Sequence, residues 1–154
     1  MSLVKNWKKI YLSDLDYVIS ELKLAMDRPA VLILSGEVGA GKTTFSKYFS
    51  KSISGKYEQF DVFSPTYSII NETKDIVHAD LFRINKISEI DHLELPLYVD
   101  DKEYVLIEWG MPYLEHIERV LGDVFTYYQL EFEVSDDEND QHISSRNLKL
   151  SIIE

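Results

Sequence analysis

The chain has 154 residues, of which 16 are Lys or Arg, 27 are Asp or Glu and none is Cys, and its formal net charge is −11. The absence of cysteine excludes a disulfide scaffold, a cysteine-ligated zinc site, an iron–sulfur cluster and thiol catalysis. The negative charge argues against autonomous nucleic-acid binding, because a phosphate backbone requires a basic surface. No signal peptide is visible, and the longest apolar run, Ala30–Leu34, is far shorter than the roughly 20 residues of a membrane span. We therefore expect a soluble, cytoplasmic protein that forms one domain over residues 1–154.

The first half of the chain alternates between helix and strand patterns. A helix is predicted to start near Ser13, to carry apolar residues at helical spacing, and to stop at Pro29. The apolar run Ala30–Ser35 is typical of a strand that is buried on both faces of a parallel sheet. A second amphipathic helix is predicted over Thr44–Ile53.

Strand patterns dominate the second half. Tyr67–Asn71 and Ile76–Ala79 flank a short polar segment, as the two strands of a hairpin do. Tyr104–Ile107 is an apolar run, whereas Phe125–Val134 and Asn147–Ile153 alternate between apolar and polar residues. Helices and strands that alternate early and give way to strands late predict an α/β sheet with an antiparallel portion.

One motif lies between the first predicted strand and the second predicted helix. Residues 36–43 read G-E-V-G-A-G-K-T and match the phosphate-binding pattern G-x-x-x-x-G-K-[S/T]. Gly36 and Gly41 permit backbone turns in which successive N–H groups converge on phosphate oxygens. Lys42 supplies positive charge to the β- and γ-phosphates, and the Thr43 hydroxyl can bind Mg²⁺. The residues predicted to bind the nucleotide are Glu37, Val38, Gly39, Ala40, Gly41, Lys42, Thr43 and Thr44.

Two acidic residues that follow apolar strands are candidates for the Mg²⁺ site. Glu108 follows V-L-I, and Asp80 follows I-V-H-A. A metal ion bound to ATP needs a carboxylate, usually at the end of a strand beside the phosphate loop. A solvated acid at a strand end is the alternative for each residue. The sequence leaves open whether either one binds the metal directly or orients water.

The chain lacks the motif by which GTPases read guanine. Residues 85–88 read N-K-I-S and residues 73–76 read T-K-D-I, so neither matches the required [N/T]-K-x-D. ATP is therefore the predicted nucleotide. A small-molecule kinase is a weaker alternative, because such kinases usually clamp phosphates with several lid arginines and this chain has only four, scattered along it.

Four short motifs together resemble one protein family. They are G-E-V-G-A-G-K-T-T-F at 36–45, S-P-T-Y at 64–67, H-A-D-L-F-R at 78–83 and I-E-W at 107–109. In this order and spacing the chain resembles the TsaE (YjeE) family of small bacterial ATPases in tRNA N6-threonylcarbamoyladenosine synthesis. The resemblance runs from about Leu12 to Leu150. It implies a P-loop NTPase-like three-layer α/β sheet with a parallel core and antiparallel strands toward the C-terminus.

The resemblance also implies an activity and partners. It points to an ATP- and Mg²⁺-dependent ATPase, slow without partners, that acts on a complex of TsaD and TsaB and reaches tRNA only indirectly. Carried over by position, Lys42 holds phosphate, Thr43 and Glu108 belong to the Mg²⁺ site, Asp80 is required for hydrolysis, and Thr66 lies in a loop that senses the γ-phosphate. A nucleotide-gated binding module with little hydrolysis of its own is the main alternative.

The chain departs from the family pattern at two positions near the predicted site. Phe82 stands where the family usually has Tyr, and Gly110 stands where Pro is common. Neither position belongs to the phosphate or metal residues, so the predicted activity is unaffected. The family places the adenine near Tyr11–Ser13.

Three further residues have two interpretations each. Trp109 either contacts the nucleotide or a partner, or packs in the core. His78 is either a structural histidine or a proton-transfer group, with the structural role favoured. Arg83 either reaches the γ-phosphate or forms a salt bridge with a neighbouring acid.

Overall fold

The computed structural model describes residues 1–54, 69–135 and 144–154, which form seven strands and five α-helices. The strands are β1 (Ser2–Ile10), β2 (Ala30–Ser35), β3 (Ile70–Glu72), β4 (Ile76–Asp80), β5 (Tyr104–Glu108), β6 (Thr126–Ser135) and β7 (Ser145–Ile153). The α-helices are α1 (Leu15–Ala25), α2 (Lys42–Ser54), α3 (Ile87–Leu93), α4 (Pro96–Val99) and α5 (Leu114–Leu121). Short 3₁₀ turns at Leu12–Asp14 and Met111–Tyr113 precede α1 and α5.

All seven strands belong to one sheet, in the order β1–β7–β6–β2–β5–β4–β3. Strands β6, β2, β5 and β4 are parallel neighbours. Strands β7 and β1 extend the sheet antiparallel on one side, and β3 does so on the other. The predicted three-layer fold with a parallel core is confirmed, and the antiparallel strands flank that core on both sides.

The two faces of β2 show why the fold has three layers. Ala30, Leu32 and Leu34 pack in the core under α1 and α2, whereas Val31 and Ile33 pack in the core under α3, α4 and α5. All five side chains are fully buried. An uninterrupted apolar strand has no polar face to turn toward water, so helices must cover both of its sides.

Most of the predicted elements are present, with small changes in their bounds. The predicted helices correspond to α1 and α2, and the predicted strands in the second half to β3–β7. Residues 67 and 68 of the first hairpin strand lie outside the described residues, and β3 itself is Ile70–Glu72. Helices α3, α4 and α5 have 8 residues or fewer, too short for a clear helical period to stand out in the sequence.

Strand β1 was not predicted, because its sequence lacks the alternation of a strand with one buried face. Its pairing with β7 shifts register twice, between Leu3 and Lys5 and again between Trp7 and Ile10. Each irregularity moves the following side chains to the other face of the sheet. Trp7 is the one β1 side chain in the buried core.

The fold brings three strand ends to the same edge of the sheet. In the parallel core Leu34 pairs with Glu108, and Glu108 pairs with Asp80. The chain leaves β2 through the loop at 36–41 and enters α2 at Lys42. Ligands of open α/β sheets bind at this carboxyl edge. Among the residues described, no helix is both long enough and apolar enough to span a membrane.

Candidate functional site

The loop at 36–41, hereafter the phosphate loop, begins directly after β2. It passes close to the backbone of β6, where glycine fits and a side chain would collide. A Cβ at Gly36 would lie 2.7 Å from the Phe132 carbonyl oxygen of β6. Gly41, at the start of α2, has a φ of +105°, which L side chains rarely adopt. The predicted role of these two glycines in shaping the turn agrees with this backbone.

A cavity of about 310 Å³, here called the loop cavity, opens beside the phosphate loop. It is lined by the loop, the first turn of α2 and the ends of β4 and β5. The lining residues are Val38, Gly39, Gly41, Lys42, Thr43, Thr44, Asp80, Phe82, Glu108 and Trp109. Residues far apart in the sequence are thus brought to one place by the parallel pairing of β2, β5 and β4.

Lys42 is the buried cation of the loop cavity, with only 5% of its surface exposed. Its Nζ donates to the carbonyl oxygens of Gly36 at 2.5 Å and Glu37 at 2.9 Å. The same atom lies 4.2 Å from the centre of the Trp109 ring, a cation–π contact.

Burial lowers the pKa of Lys42, whereas the negative charges of Glu108 and Asp80 oppose this shift. A phosphate group bound at this position would stabilise the charged lysine.

Glu108 is almost completely buried and is held by two neighbours. The Thr43 hydroxyl donates to Glu108 Oε1 at 3.0 Å and lies 3.3 Å from Oε2. His78 Nε2 lies 2.5 Å from Oε2, and His78 is itself buried. The carboxylate is therefore fixed between the first turn of α2 and strand β4.

Asp80 has a different environment, although it pairs with Glu108 across the sheet. It is half-buried, and its Oδ1 accepts a hydrogen bond from the Phe82 backbone N–H at 3.0 Å. Burial raises the pKa of Asp80, and the negative charge of Glu108 acts in the same direction. A carboxylate with a raised pKa accepts a proton more readily than an ordinary aspartate does.

Trp109 packs against the core and also lines the loop cavity, whereas its contact with a nucleotide or a partner stays a prediction. Its φ of +61° turns the chain sharply after β5, and its ring forms part of the cavity wall next to Phe82, with the ring centres 5.2 Å apart. The same side chain packs against the core under α3–α5. Gly110 follows it where a Cβ would lie 2.8 Å from the Ile107 side chain, so a larger residue at this turn would require that side chain to shift.

A second cavity, of about 250 Å³, lies on the α1 side of the phosphate loop and is here called the side cavity. It shares Gly41 and Thr44 with the loop cavity, and most of its wall is apolar. Its lining residues are Ile10, Tyr11, Leu12, Leu15, Ala40, Gly41, Thr44, Phe45, Phe132, Ser144, Arg146 and Leu148. Two of the three residues at 11–13, predicted to lie near the adenine, belong to this wall.

The residues predicted to bind the nucleotide divide between the two cavities. Six of the eight line the loop cavity, whereas Ala40 lines only the side cavity. Glu37 is exposed and lines neither cavity, although its carbonyl oxygen accepts a hydrogen bond from Lys42. Arg83 is exposed and is not part of either wall. Thr66, with the rest of the S-P-T-Y motif, lies outside the described residues.

Two contacts of the site were not predicted. His78 meets Glu108, and Arg146 of β7 donates to carbonyl oxygens of the phosphate loop. The sequence places His78 on the same side of β4 as Asp80, two residues away, but it does not place Glu108 beside them. The second joins residues 106 positions apart and has no local pattern.

The oxygen donors at the site suit a hard cation. The Thr43 hydroxyl and the Glu108 carboxylate are in direct contact. Mg²⁺ is usually bound by one or two carboxylates together with substrate phosphates and water, so an all-protein cage is not required. Within residues 1–54, 69–135 and 144–154 there is no group of three or more His, Cys, Asp or Glu side chains arranged as a metal site. The pair Thr43 and Glu108 fits a Mg²⁺ ion that arrives with a nucleotide.

A protein-family comparison agrees with the four motifs and with the geometry. The family model described as "Threonylcarbamoyl adenosine biosynthesis protein TsaE" matches residues 12–145. The chain belongs to the TsaE family. The family and the P-loop type of fold together indicate a nucleotide-binding protein of the ATPase type.

Similar proteins from three bacteria are each named tRNA threonylcarbamoyladenosine biosynthesis protein TsaE. The relative from Haemophilus influenzae is 33% identical over 93 residues, covering 58% of this chain and 57% of the relative. That from Bacillus subtilis is 38% identical over 97 residues, covering 60% and 58%. That from Nostoc is 32% identical over 123 residues, covering 71% and 74%. The chain therefore spans less than three fifths of the first two relatives.

A solved structure supports the fold. The crystal structure of Bacillus subtilis YdiB superposes with a TM-score of 0.60 at 23% identity, covering 97% of this chain and 86% of that one. The alignment includes the antiparallel strands as well as the parallel core, since nearly the whole chain is covered.

Proposed function

We propose that this protein binds ATP with Mg²⁺ and hydrolyses it, as a single cytoplasmic P-loop ATPase domain over residues 1–154. The proposal rests on one observation, which is that a lysine, a hydroxyl and two carboxylates line the same cavity. These residues are Lys42, Thr43, Asp80 and Glu108. These side chains are the lysine, hydroxyl and carboxylates that phosphate transfer from a Mg²⁺–nucleotide requires.

Nucleotide binding is supported by the local charge around the phosphate loop, despite a net charge of −11. The first turn of the 13-residue helix α2 points its free N–H groups and its partial positive charge toward an anion at the loop. Lys42 adds a full positive charge that is buried and hydrogen-bonded only to carbonyl oxygens in the contacts given above. These two sources make the loop cavity favourable for phosphate.

The adenine is proposed to occupy the side cavity, close to Tyr11 and Leu12. The apolar wall of this cavity suits the faces of a purine ring, and its shared residues Gly41 and Thr44 make it continuous with the phosphate loop. A nucleotide can therefore extend from one cavity to the other along the start of α2.

The two carboxylates are proposed to divide the chemistry of hydrolysis. Glu108 and Thr43 would hold Mg²⁺, which supplies charge stabilisation for the phosphates when it is bound. Asp80, with its raised pKa and its place in the cavity wall, is proposed to orient the attacking water and accept its proton. Thr66 remains a predicted contact of the γ-phosphate.

The partners are proposed from the family. The relatives carry the name of a tRNA threonylcarbamoyladenosine biosynthesis protein, and we propose the same pathway here, with relatives of TsaD and TsaB as the complex on which this ATPase acts. The strongly acidic chain is suited to reach tRNA through these proteins and unsuited to bind the tRNA backbone itself.

Calorimetric titration with ATP, with and without Mg²⁺, tests the binding step. Lys42→Ala is expected to weaken ATP binding by about a hundredfold, because it removes the buried charge that faces the phosphates. Lys51→Ala, in the last turn of the same helix, is the matched control and should bind as the wild type does. Equal affinities of Lys42→Ala and wild type would contradict the assignment of the phosphate loop.

ATP hydrolysis measured with and without the TsaD–TsaB complex tests the enzymatic step. Strong stimulation of turnover by the complex is the expected result. Assembly that depends on ATP but shows no turnover would instead identify a nucleotide-gated binding module. Transfer of labelled phosphate to a small acceptor would identify a kinase.

A further inference from the structure

We propose that Arg146 is a positioning residue, which holds the phosphate loop from outside in the shape that binds phosphate. Arg146 lies near the start of β7, on the other side of the loop from β5, and its side chain is half-buried. The proposal rests on the proposed function, since it assigns a role to a residue that supports the same nucleotide site.

The guanidinium group of Arg146 makes two hydrogen bonds to the loop. Its Nε donates to the Ala40 carbonyl oxygen at 2.7 Å, and its Nη2 donates to the Gly39 carbonyl oxygen at 3.3 Å. Its remaining nitrogen, Nη1, donates to the Ser144 hydroxyl at 2.8 Å and to the Ser145 carbonyl oxygen at 3.2 Å. One planar group thus ties two successive loop carbonyls to the beginning of β7.

The two halves of the phosphate loop are held by two different cations. Lys42 binds the carbonyl oxygens of Gly36 and Glu37 from within the loop cavity, and Arg146 binds those of Gly39 and Ala40 from outside. This division has a consequence for nucleotide binding. A nucleotide would draw Lys42 toward its phosphates, whereas Arg146 does not line the loop cavity and can keep its contacts with the loop. Arg146 does line the side cavity, next to the proposed position of the adenine.

Fixing a carbonyl oxygen also fixes the N–H of the same peptide unit, because the unit is planar and the two bonds point in opposite directions. The Gly39 carbonyl shares its plane with the Ala40 N–H, and the Ala40 carbonyl shares its plane with the Gly41 N–H. The Ala40 N–H donates to the Glu37 carbonyl oxygen at 3.0 Å, so holding the Gly39 carbonyl supports this internal turn of the loop. By holding the Ala40 carbonyl, Arg146 sets the direction of the Gly41 N–H in the segment that must converge on phosphate.

The positive charge of Arg146 also favours the binding of phosphate at the loop. Within the described part of the chain Arg146 forms no salt bridge, and the partners given above are carbonyl and hydroxyl oxygens. Its positive charge lies beside the loop and favours an anion there. Lysine would retain this charge, but its single ammonium group cannot reproduce the fork that spans two carbonyls.

The test compares Arg146→Gln and Arg146→Lys with wild type in two measurements. The first is hydrogen exchange of the backbone amides at 36–44 in nucleotide-free protein, which reports on the loop without any ligand. The second is the dissociation constant for ATP, with the unfolding temperature of the nucleotide-free protein recorded alongside. Arg119→Gln is the matched control, because Arg119 is an exposed arginine of α5 that lines neither cavity.

We expect Arg146→Gln to exchange the loop amides about tenfold faster and to bind ATP about tenfold more weakly, as the loss of charge-assisted hydrogen bonds implies. Arg146→Lys should fall between Gln and wild type in affinity. Unchanged loop exchange in Arg146→Gln would overturn the proposal. Equal losses in both variants, with a matching fall in unfolding temperature, would also overturn it by showing general damage to the fold. Failure of the wild type to bind ATP would instead overturn the proposed function, while loop exchange would still decide the role of Arg146.

Discussion

Glu108 and Asp80 are carboxylates at the ends of neighbouring parallel strands, paired in register, yet their surroundings differ. Glu108 is 2% exposed and is held by Thr43 and His78, whereas Asp80 is half-buried and bonds only the backbone of its own turn in the contacts described. In the sequence both follow the same pattern of an apolar run that ends in an acid. The burial and contacts of each acid are therefore determined by residues on adjacent elements, and the shared sequence pattern does not distinguish them.

The two environments favour different chemistry. A carboxylate held by two partners keeps a fixed geometry, which suits a metal ligand that must stay beside Thr43. A carboxylate at a cavity wall with a raised pKa suits a group that takes up a proton. The variants below test whether this division holds, in order of decreasing effect.

The largest effect is expected for Glu108→Gln, which retains the size of the side chain and one acceptor oxygen but removes its charge. Turnover of Mg²⁺-ATP should fall by about a thousandfold, because the proposed ion loses its proposed carboxylate ligand. Binding of ATP without Mg²⁺ should be retained. Steady-state hydrolysis and calorimetry measure these quantities. Glu103→Gln, an exposed acid just before the other end of β5, is the control, and turnover of Glu108→Gln within twofold of that control would refute the assignment.

Asp80→Asn is expected to lower turnover by about a hundredfold while leaving the affinity for Mg²⁺-ATP close to that of wild type. The asparagine retains Oδ1, which accepts the Phe82 N–H, so the turn should keep its shape. The measurement is kcat together with the dissociation constant for Mg²⁺-ATP. A variant that loses affinity and keeps kcat would make Asp80 a binding residue and would remove the distinction between the two acids.

The sequence predicted both acids but not what surrounds them. An acid after an apolar strand can be recognised locally, and the phosphate loop can be recognised from its glycines and lysine. Strand order cannot be read in this way, so the contact between His78 and Glu108 became visible only when β4 was found beside β5. Arg146 reaches Ala40 across 106 residues of sequence for the same reason.

His78→Gln tests whether the enclosure of Glu108 matters for metal binding. A glutamine can still donate a hydrogen bond, but its shape differs, so Glu108 should be held less firmly. The Mg²⁺ concentration that half-saturates nucleotide binding should rise by about tenfold, as for other residues that orient metal ligands. Mg²⁺ titrations of nucleotide binding measure it, and His92→Gln on the exposed side of α3 is the control. An unchanged Mg²⁺ midpoint would show that His78 is not needed to position the carboxylate.

The smallest effect concerns stability and tests the other side of the comparison, the raised pKa of Asp80. Between the ordinary value of 3.8 and the raised value, the unfolded chain loses the proton that the folded protein still holds. Wild type therefore loses stability as the pH rises through this window, and Asp80→Asn does not. In nucleotide-free protein the variant should unfold at a temperature about 1–2 °C higher than wild type at pH 8, with no difference from wild type near pH 3.

Asp27→Asn, at an exposed aspartate far from the site, is the control for this measurement. If wild type were instead more stable than Asp80→Asn at pH 8, the folded protein would stabilise the ionised form of Asp80. The pKa of Asp80 would then not be raised, and the proposed division between the two acids would fail.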